Sequence, residues 1–247
     1  MNALNVGSFF FEFAARIFDL FIVFYISTRN SQKSHDNLYF LLSIIVAIGL
    51  IGTILSNAIG QYDIIATLVP ALGLFFTIKG FYDIKTFNLL IGFGLATLLI
   101  IIVANVSVVF YSYILDVNAS TLMLPGFDRV IYKITSKLLV ILPAYMIGKF
   151  LSNAEIKVSY FSVVTLVVVF INVALTFFSI NLYLDAEMPN SPEFFYAIIA
   201  LLIITASGIL VINLAFKVIH QERKELQWNS MKKEYESQLK HMDEMNR

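Results

Sequence analysis

Cysteine is missing altogether from this chain of 247 residues. That excludes disulfides, thiolate metal sites and a cysteine nucleophile, and it leaves the redox compartment open. Charge is scarce as well: charged residues make up 14%, against roughly 25% in ordinary soluble domains. The charges sum to zero, so the total favours neither an acidic nor a basic partner, and no nucleic-acid partner is expected. The opening MNALNVGSFFFEF lacks a positive n-region and a small-residue cleavage site, so its apolar stretch is expected to be retained. Nowhere is there a Walker loop, a dinucleotide fingerprint, an H-E-x-x-H or a G-x-S-x-G. His35, His220 and His241 lie far apart and form no metal constellation. No catalytic residue, metal or cofactor is therefore assigned to this chain.

What is present is oil. Hydrophobic residues reach 59% and mean hydropathy is +0.81, more apolar surface than a soluble core of this length could hide. A spanning helix needs about 20 mostly apolar residues. Seven segments are candidates: residues 6–26, 38–58, 64–78, 87–110, 130–151, 158–180 and 194–216. A closed barrel would need alternating strands of about ten residues, and these runs are longer and uniformly apolar. The expected fold class is all-α, a polytopic membrane protein of about seven transmembrane helices.

Lys and Arg in the short loops set the orientation. Arg29 and Lys33 lie in the first connection, Lys79 and Lys85 in the third, Lys149 and Lys157 in the fifth. The second and sixth have none, and the fourth has only Arg129, beside Asp116 and Asp128. After Phe216 the tail carries seven Lys or Arg. The alternation predicts an outside N-terminus and a cytoplasmic C-terminus in a multi-pass cell-membrane protein surrounded by lipid.

Two charged stripes interrupt the apolar background. Glu12, Arg16 and Asp19 fall at spacings of four and three, on one face of the first span. Charges at membrane depth normally face the bundle and pair, so the stripe reads as internally neutralised packing or as a ligand-facing cluster. Arg129, Lys133 and Lys137 repeat every four residues at the start of the fifth span. Arg129 and Lys133 suit snorkelling toward outer headgroups. Lys137, two turns in, needs a partner, and Glu12 and Asp19 are the candidates. The same basic stripe could meet an anionic ligand or a peptide carboxylate. Asn118-Ala119-Ser120 matches a glycosylation acceptor.

From Phe194 to Arg247 there is one glycine, Gly208, and no proline, so nothing stops the seventh span at the membrane. A continuous helix of about 54 residues would run roughly 80 Å. Beyond the membrane, Trp228, Met231, Tyr235, Gln238, Met242 and Met245 follow an a/d spacing, a candidate homodimer seam. Leu226 is out of phase, which suggests a stutter.

With short loops, six or seven spans and the tail YESQLKHMDEMNR, the layout resembles the sensor half of Agr-type peptide-pheromone receptor histidine kinases of the GHKL family. The residue-level likeness covers Met231 to Arg247. In that family an Arg-His-Asp-Tyr phosphoacceptor motif and an ATP-binding domain follow such a helix. His241 is followed by Met242, not by the acidic residue of a phosphoacceptor. The resemblance thus implies a membrane sensor domain, residues 1–216, and a cytoplasmic signalling helix, residues 217–247. A kinase using ATP and Mg would lie beyond Arg247 and act on a response regulator. The ligand would be an extracellular peptide or small molecule, contacting the 111–129 loop and the charged stripes. A transporter using the intramembrane charges is the alternative. A third reading is a scaffold whose tail recruits a partner.

The uncapped end at Arg247 reads as a helix that continues into an output domain.

Overall fold

The computed structural model of the chain describes residues 3–29, 32–33, 37–59, 64–115, 126–152, 163–165, 167–172, 174–175 and 192–245. They are almost entirely helical. In chain order the helices are α1 (Ala3–Thr28), α2 (Leu38–Ile59), α3 (Ile64–Phe81), α4 (Thr86–Leu115), α5 (Phe127–Leu151), α6 (Val163–Asn172) and α7 (Pro192–Met245). Three of the described helices hold stretches long and apolar enough to cross a membrane: Leu38–Ala58, Thr86–Ser112 and Phe127–Leu151. This is fewer than the seven expected. Ile65–Phe81 and Val163–Asn172 are apolar but shorter, and α1 carries Glu12, Arg16 and Asp19 along its length. Much of the sixth expected span lies outside the described residues.

Local chemistry explains several boundaries. Asn37 caps α2, its Oδ1 accepting from the Phe40 N–H at 3.1 Å. Hydroxyls inside the helices back-bond to the preceding turn, as Thr53 does to Gly49 O at 2.8 Å and Thr97 to Phe93 O at 2.9 Å. Such bonds keep polar groups satisfied where no water competes.

The core lies between α1 and α4, with α2, α3, α5 and α7 packed around them. Leu20, Ile26, Leu41, Ile45, Leu74, Leu89, Leu95 and Val140 are buried in it. Small residues let backbones approach. A Cβ on Gly92 would meet the Ser27 Cα at 3.1 Å, and one on Gly148 would meet the Tyr25 ring at 2.4 Å. Asn172 on α6 donates to Ser207 on α7 at 2.6 Å, a polar tie between apolar helices. The outward faces are oily. Leu138, Leu142 and Met146 on α5 and Ile203, Leu210 and Leu214 on α7 are all more than half exposed. A water-soluble monomer rarely presents that much contiguous apolar surface.

The contacts also fix direction. Glu12 meets Lys133 and Asp19 meets Lys137, so α1 and α5 run parallel. Gly148 near the end of α5 lies on Tyr25 near the end of α1. Two short strands, β1 (Gln32–Lys33) and β2 (Tyr82–Asp83), pair antiparallel. They tie the α1–α2 and α3–α4 connections together at one end of the bundle. Phe150 and Phe216 stack at 4.3 Å, bringing the end of α5 beside α7 where α7 leaves the bundle. Connections bearing Arg29, Lys33, Lys79, Lys85 and Lys149 therefore gather at the end from which α7 departs.

α7 is one helix of 54 residues without a break. Its last buried residue among those described is Ile219, after which it runs free of the bundle.

Candidate functional site

At the opposite end of the bundle, a cavity of about 300 Å³ opens between α1, α3, α4 and α5. One part of its wall is charged: Glu12, Arg16, Asp19, Lys133 and Lys137. The rest is mostly apolar, including Leu20, Val23, Leu74, Phe93 and Ile100, with Thr67, Thr97 and Asn105 among them. The two stripes singled out in the sequence thus face each other across one space.

Their pairing was not legible from the sequence. Glu12 takes two cations, Arg129 Nη2 at 2.6 Å on Oε1 and Lys133 Nζ on Oε2. Lys137 Nζ lies 2.6 Å from both oxygens of Asp19. The acids of α1 are therefore neutralised across the bundle by α5. Snorkelling of Arg129 and Lys133 is not what the structure shows. The Arg129 side chain is only 7% exposed and that of Lys133 15%, because a carboxylate one helix away draws both inward.

Arg16 is engaged differently, through two neutral acceptors on α2 and α3. Pro70 sits inside α3 and has no N–H, so the carbonyl four residues earlier, on Ala66, loses its helical partner. Arg16 Nη1 donates to that carbonyl at 3.1 Å, and Nη2 donates to Ser56 Oγ. Room for the guanidinium comes from Gly52, where a Cβ would stand 2.9 Å from Arg16 Cδ and 2.6 Å from Pro70 Cγ. The sequence reading missed Gly52, Ser56 and Pro70 as a set. The signal was a proline within an apolar segment, with a basic residue elsewhere to answer it.

Asn105 was missed as well. It lies on α4, is 0% exposed, lines the cavity, and has no hydrogen-bond partner for Oδ1 or Nδ2 among the described residues. A lone asparagine in the run IIIVANVSVV was the available signal, since an unpaired amide is costly at membrane depth. Nearby, Tyr111 donates to Thr135 at 2.8 Å and stands edge-on to Tyr132, linking α4 to α5. Asp116, the Asn118 acceptor and most of the 111–129 loop lie outside the described residues. Asp128 is exposed at the start of α5.

Around this cavity two carboxylates, Glu12 and Asp19, face four cations, Arg16, Arg129, Lys133 and Lys137. Among the described residues that line the cavity, cations outnumber carboxylates by one.

On α7, Trp228, Met231, Tyr235, Gln238 and Met242 are all exposed. The side chains of His241 and Met245 lie outside the description. Leu239, 44% exposed and absent from the expected seam, sits four residues after Tyr235 and three before Met242. Among the described residues no group of His, Cys, Asp and Glu could hold a metal. No family model, curated protein or solved structure matches this chain.

Proposed function

We propose that this chain is the membrane sensor of a receptor histidine kinase of the Agr type. In this reading all seven apolar segments cross the bilayer, the N-terminus is outside and the C-terminus is cytoplasmic. An extracellular signal, a short peptide or small molecule, enters the charged cavity at the outer end. Occupancy favours one of two packings of a homodimer, and α7 carries the change to a cytoplasmic kinase that uses ATP and Mg and phosphorylates a response regulator.

One observation carries the proposal. A single helix of 54 residues packs on α4 within the bundle and then continues, unbroken, as an exposed stripe of apolar residues. A shift at the bundle has no joint in which to dissipate before it reaches that stripe.

The lack of cysteine makes a direct test clean. Single cysteines at Tyr235 and Met242, in the chain reconstituted in membranes, are expected to give symmetric disulfide dimers whose yields change when signal is added. Buried ion pairs beside a cavity also suit a transporter. Accumulation of solute by proteoliposomes holding this chain alone, with no α7 cross-linking, decides for that reading.

A further inference from the structure

We infer that the cavity takes the carboxylate end of an apolar acylated amino acid or peptide. The inference rests on the cavity being a ligand site and names the chemistry of that ligand.

Three observations converge. The first is charge. Glu12 is already shared between Arg129 and Lys133, and Asp19 is held by Lys137. Among the described residues Arg16 hydrogen-bonds to a carbonyl and a hydroxyl and to no carboxylate, and it shares the through-space attraction of Asp19 and Glu12 with the other cations. Cations without full neutralisation are costly at this depth, and an entering anion removes that cost. The second is Asn105. Its carboxamide offers a donor and an acceptor on the cavity wall and uses neither among the described residues. A peptide amide is the complementary group, with one N–H and one C=O. The third is the remaining wall. Leu20, Leu74 and Ile100 favour an aliphatic side chain. A carboxylate, an amide next to it and an apolar side chain together describe a peptide C-terminus. A simple fatty acid lacks the amide, and a capped peptide lacks the charge.

The test uses the full chain in phosphatidylcholine nanodiscs and calorimetric titration with three probes. N-acetyl-leucine carries both groups, N-acetyl-leucinamide lacks the charge, and octanoate lacks the amide. N-acetyl-leucine is expected to bind at least tenfold more tightly than either. Equal binding of the amide form overturns the assignment. Lys137→Gln is expected to weaken N-acetyl-leucine about tenfold and leave N-acetyl-leucinamide unchanged.

Asn105→Leu provides a readout that a purely structural role would not give. Removing an unpartnered buried amide should raise the thermal stability of the empty protein while erasing the preference for N-acetyl-leucine over octanoate. A fall in stability with the preference intact overturns the role of Asn105. A lipid headgroup could supply an anion too. Loss of N-acetyl-leucine binding when phosphatidylglycerol is added to the discs would assign the site to the headgroup and overturn the peptide.

The cross-linking pattern on α7 separates this inference from the sensor reading. Binding without any change in cross-linking upholds the carboxylate site and removes the sensor. A cross-linking response to N-acetyl-leucinamide equal to that for N-acetyl-leucine does the reverse.

Discussion

At the scale of single residues, the cross-helix ion pairs dominate. Removing one partner from a buried pair leaves the other charge uncompensated, which typically costs several kcal/mol. Glu12→Gln strips the partner from both Arg129 and Lys133 and is expected to destabilise the protein by about 3 kcal/mol. Asp19→Asn should cost about 1 kcal/mol, because that pair is more open, 30% and 21% exposed on its two sides. Adding Lys137→Met to Asp19→Asn should recover most of the loss. Thermal melts read by size exclusion would check all three, since Trp228 lies beyond the bundle and reports poorly on it. Arg16 and Pro70 form a second unit. In a Pro70→Ala background the Ala66 carbonyl can regain a helical partner, so Arg16→Met should cost about 1 kcal/mol less there than in the parent chain. Both stripes were legible in the sequence, because spacing puts charges on a face. Which acid meets which base was not, because it depends on α1 and α5 being parallel neighbours. Asn105 was hidden for the opposite reason: it belongs to no pattern.

At the scale of elements, α7 was the most readable, since an absence of stop signals over such a length leaves a helix nothing to end on. The exposed apolar stripe beyond the bundle was legible only in part. From Trp228 the exposed apolar residues Met231, Tyr235, Leu239 and Met242 follow at spacings of three, four, four and three. Trp228 and Leu239 are thus eleven residues apart, a repeat that favours a straighter or right-handed pairing than a heptad does. A heptad places Gln238 in the seam instead. Cysteine at Leu239 is therefore expected to cross-link between protomers more efficiently than cysteine at Gln238. The reverse order would restore the heptad. Helix contacts set by glycine make a different prediction. Gly148→Val collides with the Tyr25 ring and should destabilise by about 2 kcal/mol, measured in the same melts.

At the scale of the whole molecule, loop charge and helix direction agree in gathering Arg29, Lys79, Lys85 and Lys149 at one end. A membrane-impermeant thiol reagent applied to intact cells should label a cysteine at Phe127 and spare one at Lys85, with the opposite result in inverted vesicles. The clustering of basic residues at one end was legible because charge, unlike packing, is written locally, and the sidedness it predicts is what the labelling tests. The β1–β2 pair was not legible: two residues per strand leave no periodicity to read. Yet that small pairing has a mechanical consequence. It works as a clasp that holds two hairpins of helices at the end from which α7 departs, while towards the far end they meet through Arg16, which reaches Ser56 on α2 and Ala66 on α3. Helices of this length are levers of about 35 Å. A tilt of a few degrees about the clasp barely moves the clasped ends and displaces the far ones, with Arg16 and its acceptors, by an ångström or more. The molecule is built like tongs, stiff at the grip and widest in travel at the jaws.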